Sequence, residues 1–408
     1  MYLKHNLAED NIRQACAEFA DTVGKEHVSL VHADLLSYSG SHYQSYPWTE
    51  DTVVLGQVVG YPNTTEEVFQ SGTSIEGQYI PTYGGICVDF TRMDKILRTN
   101  SLDLDCTVQP GAMIGGMVGT GCSGTNATRQ RPRKSSAGYD LTRTFIGSEG
   151  TLGLITEATL KLAVKPKCEV VAACTFPPIR KAALAVQSIV SRGLQVAAVE
   201  ILNEVQMRSI NEAKSTTRIW KEGPSLFFKF NGSSDVAVND TANLVKSITE
   251  SHGSTSFTFA SSADEREELW SARRASLWSI MALRKSPEDK VWITDVTVPL
   301  RRLADTIEKT KKDIVQSGLL GAVFRHVGDG NFHTLILYSD TEKDIAKGLV
   351  PRMVDMAIAM EGAVTGEYGV GLVKRDYLES ELGKSTVDIM RMLRLGGNFT
   401  MLEISNIW

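Results

Sequence analysis

Apolar runs and amphipathic stretches alternate through the middle of this chain. From about Cys168 onward, runs rich in β-branched and aromatic residues, which predict strands, are separated by segments with helical spacing of apolar positions. The first six segments follow the order strand, helix, strand, strand, helix, strand, at 169–176, 179–192, 195–201, 225–231, 235–252 and 254–260. Two consecutive βαβ units of this kind predict a ferredoxin-like antiparallel sheet with helices on one face.

The same alternation continues after residue 260. An amphipathic stretch at 267–283 precedes a strand at 291–299 and a helix at 301–316. The segment HVGDGNFH at 326–333 comes next, and we expect its strands to join the same sheet, at its edge or mouth.

The two histidines of this segment are candidates for a metal site. If Asp329 and Gly330 are the central residues of a hairpin turn, counting outward pairs His326 with His333 across the strands. Opposed imidazoles can hold one ion, and imidazole is a common ligand of zinc. Glu367, in the glycine-rich GEYGVG at 366–371, is a candidate third ligand. The alternative is two core histidines joined by a turn.

The first 165 residues are rich in glycine and show little regular periodicity. Clusters occur as GTSIEG at 72–77, GGI at 84–86, GGM at 115–117 and IGSEGTLG at 146–153. Without side chains in the way, backbone N–H groups can converge on phosphate oxygens, so the clusters indicate a nucleotide-type cofactor. None is a GxGxxG or Walker loop, which disfavours a nicotinamide site. The alternative is that each cluster forms turns in a β-rich domain.

Composition narrows the class of protein. A chain of 408 residues is long enough for two domains, and a net charge of -5 argues against nucleic acid as the main partner. The six cysteines show no CxxC spacing, so we expect reduced thiols in an intracellular compartment. No apolar run reaches the roughly 18 residues of a membrane-spanning helix, and the N-terminus has neither a secretory nor a transit pattern.

Several longer motifs carry a resemblance to a known family. They are SGTSIEGQ at 71–78, SSAGYDLT at 135–142, IGSEGTLG at 146–153, LWSAR at 269–273 and VWITDVTVP at 291–299, together with HVGDGNFH. With these motifs the chain resembles, from about residue 53 to 395, the FAD-linked oxidases of the vanillyl-alcohol oxidase type. Within that family it is most similar to the cytochrome-dependent D-lactate dehydrogenases.

The resemblance implies an α+β, two-domain FAD-binding fold of the vanillyl-alcohol oxidase type with a ferredoxin-like cap domain. Residues 1–165 would form the FAD-binding domain, and residues 166–408 the cap or substrate domain with C-terminal helices. The implied reaction is FAD-dependent oxidation of a D-2-hydroxy acid, D-lactate to pyruvate. Electrons would pass to an acceptor such as cytochrome c, in mitochondria. D-2-hydroxyglutarate or glycolate are alternative substrates.

The resemblance also implies roles for individual residues. Arg273 would bind the substrate carboxylate, because a guanidinium offers a planar fork to two oxygens; its alternative is a surface ion pair. His326, His333 and Glu367 would hold a divalent metal, zinc in the first instance. FAD would be lined by Gly72, Thr73, Ser74, Gly77, Gln78, Gly115, Gly116, Ser123, Gly124, Gly150 and Ile155.

The sequence departs from the family pattern at two kinds of position. Tyr368 stands where the family has a histidine beside the metal-ligand glutamate, and a phenol is a poorer base than an imidazole at neutral pH. Arg325 replaces a glycine before His326. Segments near residues 69–71, 108–111 and 129–134 are shorter than in the family, so the FAD domain lacks several elements. The alternative function is therefore a catalytically impaired or inactive relative that lacks FAD.

Overall fold

The computed structural model describes residues 9–40, 53–65, 85–111, 113–122 and 138–396. These residues form two compact units. The first holds the described residues through Cys122, those from 138 to Val164, and those from Tyr368 onward. The second holds Lys165–Glu367. The assignment of a cofactor or a substrate to either unit remains a prediction.

Apart from its first and last helices, the first unit is built of short elements. Its helices are α1 (Glu9–Val23), α2 (His32–Ser37), α3 (Ile114–Thr120), α4 (Leu141–Phe145), α12 (Gly371–Lys374), α13 (Leu378–Leu382) and α14 (Lys384–Gly396). Its strands are β1 (Val28–Ser29), β2 (Val58–Gly60), β3 (Ile86–Val88), β4 (Ile96–Asn100), β5 (Asp105–Val108) and β6 (Ala158–Lys161). They form two three-stranded sheets, β1-β2-β3 and β4-β5-β6. Among the described strands of this unit, β2 and β3 alone run parallel.

Local signals explain several of these elements. Asp140 accepts a hydrogen bond from the backbone N–H of Arg143 and so begins α4. Asn100 and Asp105 are bonded side chain to side chain across the β4–β5 turn at 2.6 Å. Phe90 and Met93 are fully buried and pack with Leu154, which gives this unit a small apolar core.

One large sheet dominates the second unit. Its strands are β7 (Cys168–Thr175), β8 (Ala198–Leu202), β9 (Ser225–Gly232), β10 (Ser256–Phe259), β11 (Lys290–Thr297), β12 (Leu320–His326) and β13 (Asn331–Tyr338). Its helices are α5 (Ile179–Ser191), α6 (Glu204–Glu212), α7 (Asp235–Ser251), α8 (Ala263–Arg274), α9 (Ser276–Ile280), α10 (Leu300–Gln316) and α11 (Lys343–Ala359).

The strand order of this sheet is β10-β7-β9-β8-β12-β13-β11, and every neighbouring pair is antiparallel. The strands β10, β7, β9 and β8, with helices α5 and α7, have the arrangement of a ferredoxin-like fold, as the sequence predicts. Strands β12, β13 and β11 extend the same sheet. The histidine hairpin therefore lies inside the sheet rather than at its edge.

Helices cover both faces of the sheet. Ile314 of α10 packs against Gly321 so closely that an added Cβ there would lie 2.7 Å from Ile314 Cγ2. On the other face, the ring of Trp270 in α8 lies 4.6 Å from Lys229 Nζ of β9. Between the layers the aromatic residues Phe227, Phe228 and Phe230 are buried. Burial of such side chains is worth about 1.5–3 kcal/mol each, which makes this layer the main stabilising core.

The hairpin register differs from the predicted one. The strands pair Phe324 with His333, so His326 and His333 are not cross-strand partners. The N–H of Gly330 bonds to the carbonyl of Val327, which centres the turn on Gly328 and Asp329. Gly330 has φ +88°, and a Cβ there would lie 2.0 Å from the carbonyl oxygen of Val298. This glycine is needed for close approach of a neighbouring chain segment, not for the centre of the turn.

The cysteines and the helix lengths bear on two expectations from composition. All six cysteines carry free thiols. Within the part of the chain that is described, no helix is both long enough and apolar enough to cross a bilayer.

Candidate active site

One face of the large sheet carries a row of polar side chains. The register pairs Glu200 of β8 with His326 of β12, and His333 of β13 with both Phe324 and Asp295. Because side chains alternate along a strand and cross-strand partners share a face, Glu200, His326, His333 and Asp295 all project from the same face. All four are buried. Four buried polar groups on adjacent strands mark this face as the candidate site.

Glu200 connects two functional side chains. Its Oε2 accepts from Nε of Arg273 at 2.9 Å, and its Oε1 is hydrogen-bonded to Nδ1 of His326. Arg273, at the last turn of α8, also lies with Nη2 at 3.2 Å from Nε2 of His326. Burial raises the pKa of the Glu200 carboxyl, but the His326 hydrogen bond and the Arg273 charge more than offset this and hold that pKa below its usual value. The surface ion pair considered for Arg273 is wrong, since the side chain is only 15% exposed and meets a buried carboxylate.

His333 belongs to a second group on the same face. Its Nε2 lies 3.0 Å from Oε2 of Glu367 and 3.4 Å from Nδ2 of Asn331. The ring of Phe324 lies beside the imidazole, with centroids 5.6 Å apart. The structure therefore brings together His333 and Glu367, two of the three predicted metal ligands.

Asp295 fixes the segment that carries Glu367. Its Oδ2 accepts the backbone N–H groups of Gly366 and Glu367 at 2.7 and 2.8 Å, and its Oδ1 accepts the Thr365 hydroxyl at 3.1 Å. An added Cβ on Gly366 would lie 1.9 Å from Oγ1 of Thr297, so only glycine fits there. A β-bridge between Thr297 and Ala363 fixes the start of the segment.

In the first unit, two glycine clusters lie against each other. The N–H groups of Gly147 and Glu149 bond to the carbonyls of Val118 and Gly119 in α3, at 3.0 and 2.8 Å. The 146–153 segment and the GGM cluster at 115–117 are therefore neighbours. A Cβ added to Gly116 would have no atom within 4 Å among the described residues. Open space before such a glycine is compatible with a cofactor approaching the backbone.

Comparison with known proteins decides the family. The family model described as "FAD linked oxidases, C-terminal domain" matches residues 165–395. D-lactate dehydrogenase [cytochrome] 1, mitochondrial, from Saccharomyces cerevisiae is 38% identical over 91% of this chain and 75% of its own length. The chain belongs to the FAD-linked oxidase family.

A second relative supports the family, and a solved structure supports the fold. D-lactate dehydrogenase [cytochrome], mitochondrial, from Kluyveromyces lactis is 36% identical over 95% of this chain and 79% of its own length. The crystal structure of p-cresol methylhydroxylase with substrate bound has a TM-score of 0.73 at 13% identity and covers 96% of each chain. That structural likeness confirms the α+β fold of the vanillyl-alcohol oxidase type.

The alignment with the yeast relative also bears on the shortened segments. It runs over 442 positions, more than the 408 residues of this chain. The yeast protein therefore has residues inside the matched span that have no counterpart here. This agrees with the internal truncation inferred from the motifs.

Several predicted FAD-lining residues fall outside the described part of the chain: Gly72, Thr73, Ser74, Gly77, Gln78, Ser123 and Gly124. Of the others, Gly115 donates its N–H to the carbonyl of Pro110 at 3.1 Å. Gly150 has φ +73°, and Ile155 is buried. Their contact with FAD, the cofactor of this family, remains a prediction.

The three predicted metal ligands do not form one cluster. Among the described residues no group of three or more His, Cys, Asp or Glu side chains has metal-binding geometry. The physical reason lies in the pairing: Glu200 and Arg273 engage both nitrogens of His326, whereas His333 faces Glu367. Tyr368 follows Glu367 directly and is partly buried.

The sequence reasoning missed two residues of this face, Glu200 and Asp295. Each is an acidic residue within an apolar strand, in AVEIL at 198–202 and VWITDVTV at 291–298. A carboxylate is almost never fully buried unless it is paired. An acidic residue at a core position of a predicted strand is therefore a sequence signal by which both site residues could have been found.

Proposed function

We propose that this chain oxidises a D-2-hydroxy acid, D-lactate to pyruvate, with FAD as the first acceptor and a cytochrome-type protein as the next. One observation carries the proposal: a chain 38% identical to a cytochrome-dependent D-lactate dehydrogenase places Arg273, His326, His333 and Glu367 around one buried sheet face. Carboxylate recognition, proton transfer and an acceptor of hydride are the parts that such an oxidation needs.

Arg273 is the proposed carboxylate-binding residue. Glu200 and His326 take only part of its hydrogen-bonding capacity, because a guanidinium has five N–H groups. The side chain is buried enough for its charge to act in a medium of low polarity. A planar fork suits the two oxygens of a 2-hydroxy acid carboxylate.

Bound FAD would supply the acceptor for the hydride that leaves C2 of the substrate. We assign its contacts to the predicted glycines, of which Gly115, Gly116 and Gly150 lie in the adjoining segments described above. The open space before Gly116 supports this assignment. Ile155 would contribute an apolar side chain to the same site.

A divalent cation, zinc in the first instance, is proposed at His326, His333 and Glu367. Imidazole and carboxylate donors suit zinc. Nε2 of His333 and Oε2 of Glu367 lie 3.0 Å apart, a hydrogen-bond distance, so the pair would have to open slightly to take a tetrahedral zinc between them. His326 would join them by exchanging the Arg273 contact at Nε2 for the cation. A cation here would polarise the substrate hydroxyl.

Tyr368 is the proposed acceptor of the proton from the substrate hydroxyl, because it occupies the position next to Glu367 where the family has a histidine. A tyrosine needs a cation nearby to act as a base at neutral pH. We therefore expect turnover to be slow and to depend on bound metal.

The test is a flavin spectrum of the purified chain. We expect a yellow protein whose flavin absorbance bleaches anaerobically with D-lactate and not with L-lactate. Arg273→Met should keep the spectrum and lose the bleaching. A folded, colourless protein, or a flavin that D-lactate leaves oxidised, contradicts the proposal. Metal analysis of the same sample, with Glu367→Gln as the comparison, tests the cation separately.

A second candidate function is a catalytically impaired or inactive relative that lacks FAD. The shortened segments inferred from the motifs, with which the length of the 442-position alignment agrees, and Tyr368 favour it. The colourless outcome above would support it. If the protein does bind flavin, the remaining choice of D-lactate, glycolate or D-2-hydroxyglutarate is made by comparing kcat/KM for the three acids.

The relatives' names also support a mitochondrial location for this protein. Subcellular fractionation with a matrix and a cytosolic marker tests this, and recovery with the cytosolic marker alone contradicts it.

A further inference from the structure

Glu200 is a carboxylate in the middle of a strand whose five residues are all buried. Its side chain is 1% exposed, and both of its oxygens are used, one by Arg273 and one by His326. A buried ion pair contributes little net stability compared with apolar residues of similar size. The carboxylate is therefore best explained by what it does to its two partners.

The first effect concerns the proton on His326. An ionised carboxylate only accepts hydrogen bonds, so the nitrogen facing Glu200, Nδ1, carries the hydrogen. Nε2 is then the nitrogen with the lone pair, and the Nη2 group of Arg273 donates to it at 3.2 Å. The three N–H groups that join these residues, on Nδ1 of His326 and on Nε and Nη2 of Arg273, each meet an acceptor. Hydrogen bonds at both ring nitrogens fix the orientation of the imidazole.

The second effect concerns Arg273. Its Nε–H is committed to Glu200, and one N–H of Nη2 to His326. Three N–H groups remain, two on Nη1 and one on Nη2, and the second N–H of Nη2 joins them when a cation takes the Nε2 of His326. These lie at the far end of the guanidinium, where they form a fork for an incoming carboxylate. Removal of Glu200 would free the Nε edge and let the guanidinium rotate.

We propose that Glu200 is a positioning residue of the active site: it fixes the Nδ1–H form of His326 and presents the Nη1–Nη2 end of Arg273 to the substrate carboxylate. The inference rests on the proposed function, since it assigns Arg273 to the substrate. A bond between a carboxylate and the second nitrogen of a histidine also orients that histidine as a ligand. Glu200 thus links Arg273, the proposed carboxylate-binding residue, to the Nδ1 atom of His326.

The test compares Glu200→Gln and Glu200→Asp with the wild-type holoenzyme. A glutamine has one acceptor oxygen for two donors, so either Arg273 or His326 loses its partner. We expect Glu200→Gln to raise the KM for D-lactate at least tenfold at unchanged flavin content. Glu200→Asp keeps the charge, so its KM for D-lactate should lie between those of the wild type and Glu200→Gln. Asp105→Asn, which removes a buried carboxylate of the first unit, is the matched control and should leave KM unchanged.

A second measurement does not depend on turnover. The ¹⁵N spectrum of histidine-labelled wild-type protein should show His326, assigned with His326→Gln, as the Nδ1–H form, and Glu200→Gln should change that signal. An Nε2–H form in the wild type overturns the inference. So does an unchanged KM in folded, flavin-loaded variants. If D-lactate is not oxidised but the Nδ1–H signal is present, the proposed function fails and the His326 part of the inference stands.

Discussion

The carboxylate of Asp295 accepts the backbone N–H of Glu367 at 2.8 Å, although the two residues are 72 positions apart in the chain. The same Oδ2 atom accepts the N–H of Gly366 at 2.7 Å. A strand residue in the core of the sheet thus holds the segment that brings Glu367 to His333. Placement of this candidate ligand depends on one buried acid.

Asp295→Asn should weaken this arrangement. The substitution keeps the size of the side chain but can turn an NH₂ group toward two N–H donors, which leaves buried groups unpaired. The free energy of unfolding should fall by about 1–3 kcal/mol, measured by urea denaturation. Amide exchange at Gly366 and Glu367 should become faster.

Asp305→Asn is the control for this change. Asp305 pairs with Arg180 at the surface, and its side chain is 40% exposed. A surface pair contributes about 1 kcal/mol or less, so this variant should resemble the wild type. Equal destabilisation by the two substitutions would contradict the role given to Asp295.

Gly366→Ala should displace the Glu367 segment by crowding. The new Cβ would lie 1.9 Å from Thr297 Oγ1 and 2.5 Å from Asn331 Oδ1, distances that no packed structure tolerates. We expect a loss of about 1–3 kcal/mol or more in the free energy of unfolding, together with lower activity of the folded fraction.

Gly348→Ala provides the opposite case. Gly348 lies inside α11, and a Cβ there would meet only Arg352 Nη1, at 3.8 Å. Because glycine in a helix interior costs about 0.5–1 kcal/mol relative to alanine, this variant should be more stable than the wild type. If both alanine variants are neutral in thermal and urea denaturation, the crowding argument for Gly366 is wrong.

The sheet of the second unit could be predicted because its signals are local. A run rich in aromatic residues predicted β9, and helical spacing predicted α5 and α7, to within about two residues. Helix α6 was missed, although Asn203 accepts from the N–H of Gln206 as an N-cap. The apolar face of this helix is short and is a weak sequence signal, whereas the N-cap is the clearer one.

The hairpin register could not be predicted from its own residues. Asp329-Gly330 has the composition of a turn centre, but Gly330 is required by its approach to Val298, which belongs to another part of the chain. A shift in register reassigns every pair between the two strands, so Phe324 rather than His326 lies opposite His333, while His326 pairs on its other side with Glu200 of β8. The sequence could name candidate site residues, whereas the partners of these side chains depend on contacts distant in sequence.

Tyr368→His should raise activity if the proposed reaction is correct. A histidine would restore the base of the family, and a positioned general base is worth roughly 10²–10⁴ in rate. Anaerobic stopped-flow measurement of flavin reduction by D-lactate is the readout. Tyr368→Phe, which removes the hydroxyl at constant shape, should lower the rate further. A histidine variant no faster than the wild type would show that residue 368 takes no part in proton transfer.

The pH dependence of stability should include a contribution from His252. Burial, followed by the charges of Arg192 and Lys181, lowers the pKa of this imidazole below 6.5, and Nε2 lies 2.9 Å from the Ser188 hydroxyl. The unfolded chain therefore takes up the proton more readily than the folded one. The stabilisation is fully present above about pH 6.5 and is lost as pH falls through the lower folded pKa.

Urea midpoints at pH 7.5 and 5.5 should differ less in His252→Gln than in the wild type. Arg192→Gln removes one of the repelling charges and should also reduce the difference, whereas a wild-type difference retained in both variants would assign the pH dependence to other groups.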